Sequence, residues 1–227
     1  MEQRGKERRR MKIFIDTANL MEIKKAKALG LVDGVTTNPT LLAKEKENPE
    51  TLIRKISEEV KGPINVEVTG TTYEEILREA KILATWGEEI VIKIPVTEEG
   101  LRAVRSLSQE GIKTNVTLIF SPGQAILAAK AGATYICPFL GRLDDISFNG
   151  LELIQQIREI YQNYDEFQTQ IIVASVRHPI HVIEAARMGA EIVTIPPAIL
   201  EQMVRHPLTD RGISQFLEDA KRIGGKR

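Results

Sequence analysis

The sequence predicts an α/β protein, a closed (β/α)8 TIM barrel with an additional amphipathic helix at its C-terminus. The first observation is a repeated pattern in which a helix-like run is followed by glycine and then by an apolar, β-branched run, as in "ILATWGEEIVIKI" and "EAARMGAEIVTI". The second is that these apolar runs are continuous, which is typical of parallel strands covered on both faces. The third is that eight such strands fit in a chain of 227 residues.

The eight strands follow the order of the chain. "KIFIDT" is the first, and "QIIVAS" follows the helix-like run 150–164 without a glycine. The other six follow glycines that suit the left-handed position after a helix, namely Gly30, Gly62, Gly87, Gly111, Gly132 and Gly189. No GxGxxG opens a helix after the first strand, so a closed barrel is favoured over an open dinucleotide-binding sheet.

An extra helix is predicted after the last strand. In "GISQFLEDAKRI", Ile213, Phe216, Leu217 and Ala220 fall on one helical face. Such a helix ordinarily covers its own domain, and packing on a neighbouring subunit is the alternative.

Composition and charge exclude several classes of function. Lys plus Arg and Asp plus Glu both number 31, which argues against nucleic-acid or membrane-surface binding through net charge. Residues 1–10, "MEQRGKERRR", are predicted to be a disordered basic extension, and a basic arm for nucleic acid is the lesser alternative. Residues 11–227 are then a single domain. The lone cysteine, Cys137, excludes an intrachain disulfide and fits the cytoplasm, and no apolar stretch is long enough to span a bilayer.

Polar residues converge at the predicted strand ends, where TIM-barrel active sites lie. In chain order they are Asp16, Thr36, Thr37, Asn38, Glu67, Lys93, Thr117, Cys137, Phe139, Arg142, Ser175, Arg177 and Thr194. Any one of them alone is as readily a helix cap or a loop residue. Because seven of the eight strands contribute to the same rim, an active site is favoured.

Lys93 is the most specific signal, because it interrupts the apolar run "EEIVIKIPVT". Burying a charged ammonium costs several kcal/mol, and the cost is avoided if the amine loses its proton. A neutral amine attacks a carbonyl carbon and forms a Schiff base. We therefore expect an uncharged, dry amine; the alternative is a lysine that pairs with Asp16 or Glu67 and stays charged.

Schiff-base chemistry needs further groups. Glu67 and Thr117 come from the strands on either side of Lys93 and are placed to hold a water for the dehydration step. Asp16 remains as a base for a substrate hydroxyl. Arg142 and Arg177 suit a phosphate, because the guanidinium fork matches its oxygens; surface ion pairs are the ordinary alternative.

Other chemistries are weaker candidates. His178 and His181 are three apart in "HPIH" without a third ligand, so no metal site is predicted. Cys137 has no evident histidine base and is expected to be a small buried apolar residue. The few aromatic residues form no stacking array for nucleic acid.

Six motifs, "IFIDTAN", "GVTTNPTLL", "VIKIPVT", "GIKTNVTLIFSPGQA", "PFLGRLDD" and "ASVRHP", resemble the small single-domain transaldolases, in the fructose-6-phosphate aldolase-like branch of the transaldolase family. The resemblance runs from about Met11 to about Lys221. It implies that Lys93 is the Schiff-base lysine, Asp16 the acid–base residue on the substrate C4 hydroxyl, and Glu67 and Thr117 the holders of the catalytic water. It also implies that Asn38 and Ser175 bind the dihydroxyacetone part of the substrate and that Arg142 and Arg177 bind its phosphate. Thr36 and Phe139, at the same rim, are predicted to be substrate-binding as well.

The resemblance also implies an activity. It indicates a transferase of the non-oxidative pentose phosphate pathway that moves dihydroxyacetone from fructose 6-phosphate or sedoheptulose 7-phosphate to an aldose phosphate, with no cofactor or metal. Fructose-6-phosphate aldolases tend to carry Gln at the position of Glu67 and Tyr at that of Phe139, and a tyrosine would help to protonate the carbanion. We therefore expect transfer; an aldolase that releases dihydroxyacetone is the alternative, and a non-catalytic sugar-phosphate-binding barrel is the third possibility. Pentameric rings, often paired into decamers, are implied as well.

Overall fold

A computed structural model of the chain describes residues 10–224 and contains a closed barrel of eight parallel strands. Each strand pairs with the next along the chain, and the eighth pairs with the first. The strands are β1 (Lys12–Asp16), β2 (Gly34–Thr36), β3 (Ile64–Glu67), β4 (Ile90–Pro95), β5 (Thr114–Ile119), β6 (Tyr135–Pro138), β7 (Gln170–Val173) and β8 (Ile192–Ile195). The predicted (β/α)8 fold is confirmed.

Helices surround the barrel, and a long helix ends the described part of the chain. They are α1 (Leu20–Lys27), α2 (Pro39–Leu42), α3 (Pro49–Glu59), α4 (Tyr73–Ala84), α5 (Glu98–Gln109), α6 (Pro122–Lys130), α7 (Leu140–Asp144), α8 (Gly150–Gln162), α9 (Pro179–Arg187), α10 (Pro197–Val204) and α11 (Pro207–Gly224). The predicted C-terminal helix is α11. Between residues 10 and 224, no helix has the length and apolar character needed to cross a membrane.

The predicted basic extension lies outside the described residues, except for its last member. The Arg10 guanidinium donates to the Asp33 carboxylate at 3.1 Å. The other oxygen of this carboxylate accepts from the Ile13 backbone N–H at 3.0 Å. Arg10 is therefore connected through Asp33 to the first strand.

The core has two parts, one inside the barrel and one between the barrel and the helices. The inner part contains Phe14, Val91, Tyr135, Ile172 and Ile192, all buried. Successive side chains of a strand point to opposite faces, so the residues two positions further along each strand also face the interior, but at the C-terminal rim. The barrel is thus closed by apolar side chains below, and its open end carries the polar residues.

Two of the six glycines that precede strands do not have the predicted left-handed conformation. Positive φ angles of 70° to 90° confirm the left-handed conformation at Gly30, Gly111, Gly132 and Gly189. The prediction is wrong for Gly62 and Gly87, which do not have positive φ. A Cβ at Gly62 would lie 2.1 Å from the Asp33 carbonyl oxygen, and one at Gly87 would lie 2.6 Å from Ser57 Oγ. These two glycines allow close packing of neighbouring segments.

Candidate active site

A cavity of about 220 Å³ opens at the C-terminal end of the barrel. Its lining residues come from the ends of six strands and the segments that follow them, and are Asp16, Thr36, Asn38, Lys93, Cys137, Phe139, Arg142, Ala174, Ser175, Arg177 and Thr194. Eight of the ten residues predicted for the site are among them. The other two, Glu67 and Thr117, do not line the cavity.

Lys93 lies in β4 with a side chain only 3% exposed. Its Nζ is 2.9 Å from Glu67 Oε2 and donates to the Thr37 carbonyl oxygen at 3.2 Å. The amine is dry, as predicted, but it is not without a charged partner, because β3 and β4 place Glu67 directly beside Lys93. The pairing with Glu67 that the alternative named is present, while the loss of the amine's proton stays a prediction. A carboxylate at this distance can take the proton that the amine must lose before it attacks a carbonyl.

Thr117 lies in β5, beside Pro95 of β4 and Cys137 of β6. Its buried hydroxyl has no nitrogen or oxygen partner among the described residues, and only the weakly hydrogen-bonding Cys137 thiol lies beside it. Immediately after it the pairing of β5 with β6 shifts, at Leu118, whose φ is 58°. A buried hydroxyl without a partner is costly unless water satisfies it, so this position suits an ordered water.

Asp16 ends β1, partly buried, and its carboxylate accepts a 2.8 Å hydrogen bond from Thr36 Oγ1. Burial raises the pKa of Asp16, while the Thr36 hydrogen bond and the Lys93 charge lower it and the Glu67 charge raises it. The net direction is upward. A carboxylate with a raised pKa is a stronger base once it is ionised.

The two arginines at the mouth of the cavity are held by different contacts. The Arg142 guanidinium, in α7, lies 5.0 Å from the ring centroid of Phe139. The Arg177 guanidinium, after β7, donates to Asp145 Oδ2 at 2.6 Å. Both side chains are exposed enough to meet an incoming phosphate.

His181 connects the two arginine loops. Its Nδ1 accepts from the Arg177 backbone N–H at 3.2 Å, and its Nε2 is 3.2 Å from Asp144 Oδ2. Burial, with the neighbouring His178, lowers the pKa of His181. The neutral ring therefore carries its hydrogen on Nε2 and donates to Asp144, which gives His181 a positioning role. Between residues 10 and 224 no group of three or more His, Cys, Asp or Glu side chains is arranged to hold a metal ion.

The backbone around Ser175 is strained, which the sequence did not indicate. Ser175 has a φ of 60°, a conformation that non-glycine residues rarely adopt. A Cβ at Gly141 would lie 2.0 Å from the Ser175 carbonyl oxygen, so only glycine permits this approach. Such strain is concentrated at functional sites, where it fixes a side chain.

Two further predicted residues, Asn38 and Cys137, are held by the fold in different ways. Asn38 lines the cavity and also caps α2, accepting from the Leu41 N–H at 2.9 Å. Burial raises the pKa of the Cys137 thiol to about 12, with smaller effects from the Lys93 charge and Thr117. A thiol with this pKa is not ionised near neutral pH, so Cys137 acts as a small buried residue.

Asn115 is a buried interior residue that the sequence reasoning missed. Its Nδ2 donates to Asn65 Oδ1 at 2.8 Å, and its Oδ1 has no partner among the described residues. The signal was present in "TNVT", because a residue two before an inward-facing Thr117 must also face inward. Asn115 thus adds an unsatisfied polar atom to the barrel interior below the rim.

The protein is a (β/α)8 barrel that carries a buried lysine, two carboxylates and two arginines at the C-terminal ends of its strands, where the active sites of such barrels lie. The chain belongs to the transaldolase/fructose-6-phosphate aldolase family, whose profile matches residues 13–226. It is therefore an enzyme of the transferase or aldolase kind.

Relatives agree with this assignment over nearly the whole chain. A probable transaldolase from Thermodesulfovibrio yellowstonii is 58% identical over 213 residues, which cover 94% of this chain and 99% of that protein. One from Nitrosopumilus maritimus is 52% identical, over 94% of this chain and 96% of that protein. A crystal structure from Coccidioides immitis, named as a candidate fructose-1,6-biphosphate aldolase, superimposes with a TM-score of 0.57 over 88% of this chain and 81% of that one. At 17% identity it supports the fold alone.

Proposed function

We propose that this protein is a cytoplasmic transaldolase of the non-oxidative pentose phosphate pathway. It moves a dihydroxyacetone unit from fructose 6-phosphate or sedoheptulose 7-phosphate to an aldose phosphate through a Schiff base. The observation that carries the proposal is the Lys93 amine, almost fully buried, facing the cavity and 2.9 Å from the Glu67 carboxylate. A buried lysine beside a proton acceptor is the arrangement that Schiff-base formation needs.

The first stage joins the substrate to the enzyme. Glu67 takes a proton from Lys93, and the neutral amine adds to the C2 ketone to give a carbinolamine. Glu67 then returns the proton, through a water at the Thr117 hydroxyl, to the departing C2 oxygen. Water leaves and a protonated imine remains on Lys93.

The second stage breaks and remakes a carbon–carbon bond. Asp16 accepts the proton of the C4 hydroxyl, the C3–C4 bond breaks, and its electron pair flows to the imine, which becomes an enamine. The aldose phosphate leaves. The enamine then attacks the aldehyde carbon of a second aldose phosphate, Asp16 returns the proton, and hydrolysis of the imine releases the new ketose.

Phe139 favours transfer over simple cleavage. Its ring centroid lies 5.9 Å from Lys93 Nζ, close to where the enamine would form. A phenyl ring has no hydrogen to give to a carbanion, so the enamine persists until an aldehyde arrives. The alternative, an aldolase that releases dihydroxyacetone, needs a proton donor at that carbon.

The test combines trapping with product analysis. Fructose 6-phosphate and borohydride should leave a three-carbon adduct on the Lys93 peptide, read by mass spectrometry. Without an acceptor, fructose 6-phosphate should yield little free dihydroxyacetone, and adding an aldose phosphate acceptor should start steady turnover. Abundant dihydroxyacetone without an acceptor would show that the protein is an aldolase. A Lys93 that stays unmodified would refute the Schiff base and favour a non-catalytic barrel that binds sugar phosphates.

Replacing Arg142 with Gln should weaken the binding of phosphorylated substrate by about 10- to 100-fold, because a charge-assisted hydrogen bond contributes about 1.5–3 kcal/mol. The measurement is KM for fructose 6-phosphate. Borohydride trapping of dihydroxyacetone on Lys93 is measured in parallel and should not change, because dihydroxyacetone carries no phosphate. Arg105→Gln, an exposed arginine of α5, is the matched control. An unchanged KM in Arg142→Gln would remove this residue from the phosphate site.

An oligomer is the second part of the proposal, and α11 supports it. The apolar side chains of this 18-residue helix are exposed to solvent: Leu208, Ile213, Phe216, Leu217 and Ile223. A groove of about 500 Å³ runs between α1 and α10, with Leu29 and Val204 among its lining residues. We propose that α11 of one copy lies in this groove of the next. A helix meeting a different surface makes a head-to-tail contact, which closes into rings such as a pentamer.

Phe216→Glu should disrupt this assembly, because Phe216 is 74% exposed in the single chain and would be buried in the contact. Losing a central aromatic residue costs at least about 2 kcal/mol per interface, or about 30-fold in each dissociation constant. Sedimentation velocity measures the shift to smaller species. Glu218→Lys, on the face of α11 opposite the apolar side chains, should leave the assembly intact, and an unchanged distribution for Phe216→Glu would exclude α11 as the contact.

A further inference from the structure

Thr194 makes a short contact that the mechanism above does not use. It lies in β8, where β8 meets β1, with a side chain only 2% exposed. Its Oγ1 is 2.5 Å from Thr36 Oγ1, which in turn is 2.8 Å from Asp16 Oδ1. Three strands, β8, β2 and β1, thus contribute to a row of three oxygen atoms that ends at the proposed base.

Counting hydrogens fixes the direction of the row. An ionised carboxylate only accepts, so the single hydrogen of the Thr36 hydroxyl points to Asp16. Thr36 then has nothing to donate to Thr194, so the Thr194 hydroxyl must donate to Thr36. The row therefore runs from Thr194 to Thr36 to Asp16 whenever the carboxylate is charged.

The direction reverses when Asp16 holds a proton on this oxygen. The carboxylic acid donates to Thr36, and the Thr36 hydrogen turns to Thr194, which now accepts. Without the Thr194 hydroxyl, the Thr36 hydrogen would have no acceptor on that side among the described residues. Thr194 therefore donates to Thr36 when Asp16 is ionised, and accepts from Thr36 when Asp16 is protonated.

We propose that Thr194 is a positioning residue for proton transfer at Asp16, because it orients the Thr36 hydroxyl toward the carboxylate and accepts from it after the proton has moved. This inference rests on the function proposed above. Thr194 itself is assigned no contact with the reacting atoms, and it acts only through Thr36.

The row of hydrogen bonds, and not the surrounding charges, sets the sign of the pKa change expected when Thr194 is replaced. Lys93 and Glu67 act on Asp16 from β4 and β3, Cys137 faces it from β6, and Arg142 and Arg177 line the same cavity. None of these groups replaces a hydrogen bond to Thr36. When Asp16 is ionised, the Thr194 hydroxyl donates to Thr36 and polarises the Thr36 hydroxyl, which strengthens its hydrogen bond to the anion. When Asp16 is protonated on its other oxygen, the Thr36 hydrogen can stay on the neutral acid, so losing Thr194 costs the ionised state more than the protonated state. The base therefore ionises at higher pH in a variant without this hydroxyl.

The experiment compares Thr194→Ala with Thr194→Ser, which differ only in the hydroxyl. In Thr194→Ala, kcat/KM for transfer at mildly acidic pH should fall by about 3- to 10-fold, the worth of one hydrogen bond, and the acid limb should move to higher pH. Thr194→Ser should restore both. Thr114→Ala is the matched control, because this buried strand threonine has a hydroxyl without a partner among the described residues.

A second measurement does not depend on activity. Carboxyl-labelled aspartate followed by NMR gives the titration of Asp16, whose resonance is assigned by its absence in Asp16→Asn. If the proposed function were wrong, turnover would be missing in the unmodified protein, while the titration would still move to higher pH in Thr194→Ala. An Asp16 titration that is the same in Thr194→Ala and the unmodified protein, or one that Thr194→Ser fails to restore, would overturn the proposal.

Discussion

Lys93→Met is expected to lower sugar-phosphate exchange by about 10⁴-fold or more and to abolish the borohydride adduct, because no other lysine among the described residues lines the cavity. The measurements are coupled assays of aldose phosphate transfer and mass spectrometry of the trapped protein. Lys113→Met is the matched control, since Lys113 is an exposed lysine that precedes the next strand and lies 3.8 Å from Glu89. This control should retain full exchange.

Loss of the fold must be separated from loss of the nucleophile. Lys93→Met leaves the Glu67 side chain, which is 13% exposed, without its cation, and breaking a buried pair costs about 3–5 kcal/mol. The double variant Lys93→Met/Glu67→Gln removes the stranded charge and should recover most of the thermal stability while remaining inactive. Exchange that survives in a folded Lys93 variant would refute the Schiff-base mechanism.

Asp16→Asn has the second-largest expected effect, a loss of about 10²- to 10⁴-fold in carbon–carbon cleavage, the usual worth of a general base. Dihydroxyacetone has no C4 hydroxyl, so its borohydride adduct on Lys93 should still form. Measuring cleavage and trapping in the same variant therefore separates the two stages. Asp165→Asn, at an exposed aspartate between α8 and β7, is the control. Loss of trapping together with cleavage would mean that Asp16 serves Schiff-base formation instead.

The raised pKa of Asp16 gives two pH-dependent results. The acid limb of kcat/KM should lie at higher pH than an ordinary aspartate would give, since the ionised form is the active base. The folded state also binds more protons than the unfolded state between the ordinary and the raised pKa, so stability falls as pH rises through that window. Asp16→Asn should therefore unfold at a higher temperature than the unmodified protein at neutral pH, by calorimetry. A lower temperature would show that the charged carboxylate stabilises the fold.

The barrel was predictable because its signals are local. A glycine after a helix, followed by a continuous apolar run, marks one βα unit wherever it occurs, and eight repeats leave few other folds open. The same reasoning placed Asp16 at the rim because it ends such a run, and singled out Lys93 because it is a charged residue in the middle of such a run. It could not separate Gly30, which has a positive φ, from Gly62, which faces the Asp33 carbonyl, since that difference lies in the packing of distant segments.

The details of the site depend on how neighbouring strands align, which the sequence does not specify. Glu67 lies beside Lys93 only because of the alignment of β3 with β4. The contact between Thr36 and Thr194 joins residues 158 positions apart and forms only when the barrel closes. Strand alternation would have found Asn115, whereas the contact with Thr194 needed the closed structure.

The Arg177–Asp145 pair has a consequence for product release. In this exposed contact, 2.6 Å long, the Asp145 carboxylate occupies the Arg177 guanidinium, so an arriving phosphate must compete with it. Exposed ion pairs contribute about 1 kcal/mol or less, so a sugar phosphate displaces the carboxylate easily, and the carboxylate in turn helps to eject the product. The proposed transfer cycle admits two sugar phosphates and releases two, so a weak and reversible contact with phosphate would speed it. Asp145→Asn should bind sugar phosphate more tightly and release it more slowly.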